Sequence, residues 1–186
     1  MMRKIILITG APASGKTSLA YELAGRLSVP LIARDTLKEH LFDVLGHSDR
    51  AWSQKLGAAT FTLLYAIAEE LLRGDQSFIL ESNFKSQAQA EFERLRAIHP
   101  FETFQIICGG DPDVLVQRFA QRHKSGERHP GHVDHHNLQT FLDNPGSGWY
   151  EPFNLPGEIL KVDTTVFASV DHENIVRKIA AWLQVA

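Results

Sequence analysis

Sulfur is nearly absent from this 186-residue chain, which has one cysteine, Cys108, and two methionines. A lone thiol excludes an internal disulfide framework and fits a reducing cytoplasm. No charge of one sign dominates either. Nineteen Lys and Arg stand against 22 Asp and Glu, leaving −3. No global field therefore draws nucleic acid, and only a local basic groove would do so. No apolar run approaches the roughly 20 residues that a membrane span requires. The opening MMRKIILITG is basic, then apolar, but its apolar run is too short for a secretory signal. The expectation is a cytoplasmic protein with no membrane partner. Internal repeats, low-complexity tracts and linker-like stretches are missing, so one domain over 1–186 is expected.

What is present is an alternation of short apolar runs with longer helical patterns. KIILIT (4–9), PLIAR (30–34), SFILE (77–81), FQIIC (104–108) and EILKVD (158–163) read as strands. Several are apolar without a period of two, as strands covered on both faces are. Helices are expected near 15–27, 36–45, 51–73, 86–98, 112–124 and 172–184. This order predicts an α/β fold, a three-layer α/β/α sandwich around a five-stranded parallel sheet. Ligands of such sheets sit beyond the carboxyl ends of the strands. The residues just after each strand therefore carry the functional expectation.

After the first strand comes Gly10-Ala11-Pro12-Ala13-Ser14-Gly15-Lys16-Thr17-Ser18. It has the spacing GxxxxGK followed by a hydroxyl residue, between a strand and a helix. Glycines let backbone amides approach phosphates, and the helix start presents its positive end to them. Lys16 supplies a mobile charge for the β- and γ-phosphates of ATP, and the Thr17 hydroxyl is a ligand for Mg²⁺.

The second strand ends at Arg34-Asp35. Asp35 suits a general base beside a transferred phosphate, because an attacking hydroxyl must lose a proton. The competing reading is a helix cap. Lys38, one turn on, is placed to meet an anionic group of an acceptor, or simply solvent. Glu81 ends the third strand, where P-loop proteins carry a carboxylate for Mg²⁺. Glutamate is longer than the usual aspartate, so contact through water or with the acceptor is an equal alternative. Ser82 and Asn83 follow as hydrogen-bonding groups for the acceptor.

Asp111-Pro112 opens a helix that places Arg118 and Arg122 four apart on one face, with Arg128 just past a Ser-Gly turn. Three arginines on such an arm suggest a lid over about 112–137 that closes over ATP. His129, His132, His135 and His136 fall in the same arm. Zinc is disfavoured there, because no cysteine joins them and Pro130-Gly131 breaks helical spacing. Trp149, Tyr150 and Phe153 offer rings for adenine, although packing is the commoner use of such a cluster.

Taken together, GAPASGKT, RDTLKEHL, ESNF, the arginine-bearing arm with SGERHPGHVD, and KVDTT resemble a group of small P-loop kinases. These are often described as AAA-family ATPases and group with polynucleotide kinase, zeta toxin and chloramphenicol phosphotransferase. The resemblance implies a nucleoside-monophosphate-kinase-like fold with strand order 2-3-1-4-5. It implies ATP with Mg²⁺ as donor and a hydroxyl as acceptor. By motif it assigns Lys16 and Thr17 to the phosphate loop, Asp35 to the acceptor base, and Arg118, Arg122 and Arg128 to the lid. Polynucleotide kinases carry Asp-x-x-Arg where this chain has Lys38, and lysine cannot grip a phosphate bidentately. The expected activity is therefore transfer of the γ-phosphate to a small-molecule hydroxyl. A nucleotide or polynucleotide kinase and an acceptor-free ATPase switch are the alternatives.

Overall fold

The computed structural model describes residues 2–126, 128–133, 139, 141 and 148–184. Along the chain run β1 (Arg3–Gly10), α1 (Lys16–Leu27), β2 (Leu31–Ala33), α2 (Arg34–Leu45), α3 (Arg50–Arg73), β3 (Phe78–Glu81) and α4 (Ala88–Ile98). They are followed by β4 (Phe101–Gly109), α5 (Pro112–Ser125), β5 (Gly157–Asp163) and α6 (His172–Gln184). All strand pairs are parallel and the order is β2-β3-β1-β4-β5, the order that the resemblance implied.

Why β1 lacks alternation is plain from its neighbours. Ile5 and Leu7 point into a core made with Leu64, Ala68 and Leu72 of α3 and Phe92 and Leu95 of α4. Ile6 and Ile8 point the other way, into Leu19 and Leu23 of α1 and Ile175 and Ile179 of α6. Both faces are dry, so both sets are apolar. Strand β5 lies at the edge and buries only Val162.

Most boundaries agree with the sequence expectation to within a residue or two, and two of the differences have a clear physical reason. Strand β4 starts at Phe101 rather than near 104, because Phe101 to Thr103 extend the ladder beside Arg3 to Ile5 of β1. Glu102 and Thr103 interrupt the apolar signal there without interrupting the hydrogen bonds. Helix α2 starts at Arg34, with Ala33 in the cap position and no side-chain cap. Asp35 therefore lies inside the first turn, and the capping reading of its carboxylate fails. Real caps stand elsewhere: Asp49 accepts from Trp52 N, and Asp111 accepts from Asp113 N and Val114 N.

The segment from 148 to 155 is tied down by a buried glutamine. Gln105 Nε2 donates to Phe153 O at 3.0 Å, and Phe153 N donates to Gln105 Oε1 at 2.8 Å. Phe153 then fills an aromatic cluster with Phe84 and Phe92. This is packing, as expected for that ring. The thiol of Cys108 is fully buried, and burial pushes its pKa up to about 12.

Phe92 is 0% exposed and touches three other rings. Phe92→Ala is expected to cost about 3–5 kcal/mol of stability, as large-to-small core changes do. A lowered urea midpoint at unchanged slope is the expected readout; an unchanged midpoint would contradict this packing.

Candidate active site

A single cleft of about 1320 Å³ lies at the carboxyl ends of β1, β2 and β3. Among the residues lining it are Ala11, Lys16, Thr17, Arg34, Asp35, Lys38, Glu81, Asn83, Arg122 and Arg128. Thus the loop after β1, the start of α2, the end of β3 and the arm after β4 converge, although 112 residues of sequence separate Lys16 from Arg128.

The loop from Gly10 to Thr17 is shaped by two glycines for different reasons. A Cβ on Gly10 would stand 1.9 Å from the Cys108 carbonyl oxygen, so β1 and β4 approach too closely for any side chain. Gly15 has φ of 73°, and a Cβ there would also strike the Phe167 ring at 2.4 Å. Ala13 also takes a left-handed turn, with φ of 60°. Helix α1 begins at Lys16, directly behind the loop, and aims its N-terminal dipole into the cleft. Ser14 is buried in the loop, while Ser18 is exposed on α1.

Glu81 is 2% exposed. Burial pushes its pKa up, against the pull of Lys16 and of the nearby Thr17 hydroxyl. Its Oε2 has no hydrogen-bond partner among the described residues. A buried carboxylate oxygen with no donor, beside a threonine hydroxyl, is a donor set that fits Mg²⁺, a hard cation that takes oxygen ligands.

Asp35 sits between two guanidinium groups. Arg34 Nη1 donates to its Oδ1 at 3.1 Å, and Arg128 Nη2 donates to its Oδ2 at 2.5 Å. Burial alone would raise its pKa. Arg128, His132, Arg34 and Lys16 outweigh burial and hold the carboxyl well below the usual range.

Arg128 belongs to a short segment, 128–133, that lies along α2 and is matched to it turn by turn. Asp35, Glu39 and Asp43 are spaced four apart and share one face. Arg128 meets Asp35, His132 Nε2 meets Glu39 Oε1 at 2.8 Å, and His129 Nε2 meets Asp43 Oδ1 at 3.2 Å. His132 Nδ1 faces Arg128 Nη2 at 3.2 Å and can only accept there, so Nε2 carries the proton and donates to Glu39. Burial, with Arg128 next to it, lowers the His132 pKa to about 3. Phe42 stacks on His129 and meets the edge of His132. Gly131 fits flat on Phe42, where a Cβ would come 2.6 Å from the ring. The histidines thus dock the segment. No cluster suited to a metal occurs among the described residues; His135, His136 and the remainder of the expected lid to 137 lie outside them.

The three arginines part company. Arg122 and Arg128 line the cleft. Arg118 donates to the carbonyls of Thr164 and Thr165 at 2.7 and 2.8 Å and braces the chain after β5 instead. Trp149 covers Gly109, whose Cβ would meet its ring at 2.5 Å, and Tyr150 lines the cleft.

The opposite wall is α3, whose Phe61 and Tyr65 the sequence already offered as core with part of one face on the acceptor pocket, and where Ser53 and Gly57 were passed over. The Arg34 guanidinium stacks on Phe61 at 4.5 Å, and Lys38 Nζ donates to Ser53 Oγ at 2.9 Å. Lys38 is buried, not solvated. Gly57 lies between them in mid-helix, where glycine costs about 1 kcal/mol relative to alanine. An isolated glycine inside a long helical pattern was the available signal. The 35-39-43 acidic spacing was the signal for the docked segment.

Two outcomes test this docking. Gly131→Ala should lift the segment from Phe42, giving faster amide exchange over 128–133 and faster tryptic cleavage after Arg128; unchanged protection would contradict the contact. His132 is held neutral in the fold and titrates near 6.5 when free. The folded pKa is depressed, so docking is complete above about 6.5 and weakens as pH falls from there toward 3. Protection factors over 128–133, taken against the intrinsic exchange rate at each pH, should therefore fall between pH 7 and 5, in the surroundings set by Arg128, Asp35, Lys38, Arg34 and Glu39.

Residues 5–145 match the family model described as AAA domain. A candidate kinase from Chloroflexus aurantiacus J-10-fl is 39% identical, over 96% of this chain and 97% of that one, with a TM-score of 0.89. More distant structures share the fold. Kti12 of Chaetomium thermophilum, solved with ADP-AlF3, is 19% identical at a TM-score of 0.64, over 98% and 99% of the two chains. The APS kinase CysC of Mycobacterium tuberculosis, solved with AMPPNP and APS, is 15% identical at 0.57, over 99% and 98%. No curated protein matches the chain. No helix among the described residues is long and apolar enough to cross a membrane. The chain belongs to the AAA domain family, as a small member with a kinase-like P-loop fold.

Proposed function

We propose that the protein is an ATP-dependent phosphotransferase that moves the γ-phosphate of ATP to a hydroxyl of a small-molecule acceptor. The observation that carries this reading is the carboxylate of Asp35 in the same cleft as Lys16 and the phosphate loop. A nucleotide hydrolase needs a positioned water there; a carboxylate on the facing element suits an acceptor hydroxyl. The nucleotide-bound states of Kti12 and of the APS kinase on the same fold support ATP as donor.

In this reading the amides of residues 11–17 and Lys16 hold the ATP phosphates. Thr17 and Glu81 would hold Mg²⁺, which would neutralise charge on the ATP phosphates. Asp35 accepts a hydrogen bond from the acceptor hydroxyl and aims its oxygen at the γ-phosphorus. The new P–O bond forms as the bond to the β,γ-bridging oxygen breaks, and that electron pair leaves with ADP. The hydroxyl proton passes to Asp35 and then to water. A depressed pKa makes Asp35 a weak base, which suits a loose transition state in which the nucleophile keeps its proton until late. The arm from 112 acts as a lid. As Arg128 turns from Asp35 to the γ-phosphate, Asp35 loses its nearest opposing charge and becomes more basic. Arg122 adds a second cation over the transferring group.

The test is transfer from γ-labelled ATP to a panel of sugars, sugar acids, nucleosides and antibiotics. Asp35→Asn should keep ATP affinity and lose about 10²–10⁴-fold in transfer rate. Lys16→Ala should lose both. Full transfer by Asp35→Asn would remove Asp35 from this role, and transfer surviving Lys16→Ala would place the activity in a contaminant.

A further inference from the structure

The cleft does not end at Asp35. It continues as a groove between α3 and α4, lined on α3 by Phe61, Tyr65 and Glu69 and on α4 by Ala88, Glu91 and Arg94. Ala58, Thr62 and Ala66 also line it; they are small and exposed, and so leave it open along α3. Gly57 marks the near end, because it faces the Arg34 guanidinium. At 1.5 Å per residue, Tyr65 stands about 12 Å further along the axis and Glu69 about 18 Å.

The far end of the groove is built from both helices. Arg94 Nη2 reaches Glu69 Oε2 of α3 at 3.1 Å and Glu91 Oε1 of its own helix at 2.7 Å. Arg94 Nε donates to the same Glu91 oxygen at 2.8 Å. This bridge fixes both carboxylates and ties α3 to α4. Glu91 Oε2 and Tyr65 Oη are left without a hydrogen bond among the described residues. Burial, and then the charge of Glu91, push the Tyr65 pKa up to about 12, so the hydroxyl keeps its proton and can donate. The ring itself is engaged within the protein. Phe61 carries the Arg34 guanidinium and stacks with Tyr65, and Tyr65 meets Phe92 at 87°. What Tyr65 offers a ligand is its hydroxyl.

We infer that the acceptor is an elongated polyhydroxyl molecule of at least two rings, whose distal ring hydrogen-bonds to Glu91 Oε2 and the Tyr65 hydroxyl while its reacting hydroxyl lies at Asp35. The inference rests on the kinase reading above and names its substrate class. A carboxylate oxygen only accepts, so the distal ring must bring O–H or N–H donors. An anionic end would face Glu69 and Glu91. One ring seated at Asp35 falls short of Tyr65, and a second spans the gap. The groove thus selects by length and by donors at the far end, away from the reacting atoms.

Two readouts on the full chain separate this inference from the kinase reading. The first is calorimetric titration of cellobiose, maltose, the disaccharide of glucosamine, and glucose into protein saturated with AMPPNP and Mg²⁺. At least one disaccharide should bind about ten-fold more tightly than glucose, as a hydrogen bond to a charged group provides. Tyr65→Phe and Glu91→Gln should each remove most of that difference. Ala66→Leu should do the same by filling the groove, and should melt like the parent, since both residues are strong helix formers. No disaccharide bound more tightly than glucose, or a difference that survives all three variants, overturns the distal site. The cellobiose and glucosamine arms tell hydroxyl donors from ammonium donors.

The second readout is transfer from γ-labelled ATP to the same sugars. The ratio of disaccharide to glucose kcat/KM should fall about ten-fold in the variants, through KM rather than kcat. Equal kcat/KM for one ring and two in the parent overturns the distal site and leaves the kinase reading intact. Disaccharide binding that the variants lose, with no transfer to any sugar, supports the site and overturns the kinase reading. A nucleoside exceeding every disaccharide in kcat/KM overturns the polyhydroxyl class.

Discussion

The carboxylate of Asp35 organises the cleft. It is a half-buried anion held by two guanidinium groups, Arg34 next to it on its own helix and Arg128 from beyond α5. Removing its charge would leave three cations, Lys16, Arg34 and Arg128, facing one another in a partly dry space. Losing that opposing charge is unfavourable for all three. The same carboxylate therefore fixes the wall of the cleft, docks the arm and, in the proposed reaction, aims the attacking hydroxyl. Structure and chemistry draw on one charge.

The fold delivers these groups because a parallel sheet ends all its strands on one edge. Burying both faces of β1 between α1 and α6 on one side and α3 and α4 on the other makes that strand rigid. The phosphate loop hangs from its end, and Gly10 is forced by the closeness of β4 rather than by the nucleotide. Adjacent strands then present Glu81 at the end of β3 and Asp35 after β2, in spatial order away from the loop. The order 2-3-1-4-5 thus sets the residues after β1, β3 and β2 side by side.

Much of this was legible before any coordinates. Each strand and helix showed in the apolar pattern, because parallel strands must be apolar on both faces and amphipathic helices on one. Boundaries slipped where hydrogen bonding continued past the pattern, as at Phe101, or where a helix began without a cap, as at Arg34. Lys16, Thr17, Asp35 and Glu81 were nameable because each ends or follows a strand. Their neighbours were harder. Arg34 looked like a strand end, and only its stacking on Phe61, across α3, shows it as part of a wall. Arg118 and Arg122 have the same spacing signature. Side-chain direction separates them, one toward the carbonyls after β5 and one toward the cleft. Periodicity places residues on faces; it does not say which element lies opposite.

The opposition of Arg128 and Asp35 has a consequence for the order of events in a kinase cleft. While the two are paired, Oδ2 of Asp35 is occupied and its basicity is at a minimum. A γ-phosphate competes for Arg128 with more charge than one carboxylate, so nucleotide entry favours release of Asp35. His132 resists that release, since its Nδ1 also holds Arg128 and its Nε2–H is anchored on Glu39. The arm is thus poised between two anions, one in the protein and one on the nucleotide. With no nucleotide present, the base is masked by the same arginine that would stabilise the transfer. In that arrangement an acceptor arriving first meets a carboxylate already engaged, which biases the site toward binding ATP before the acceptor.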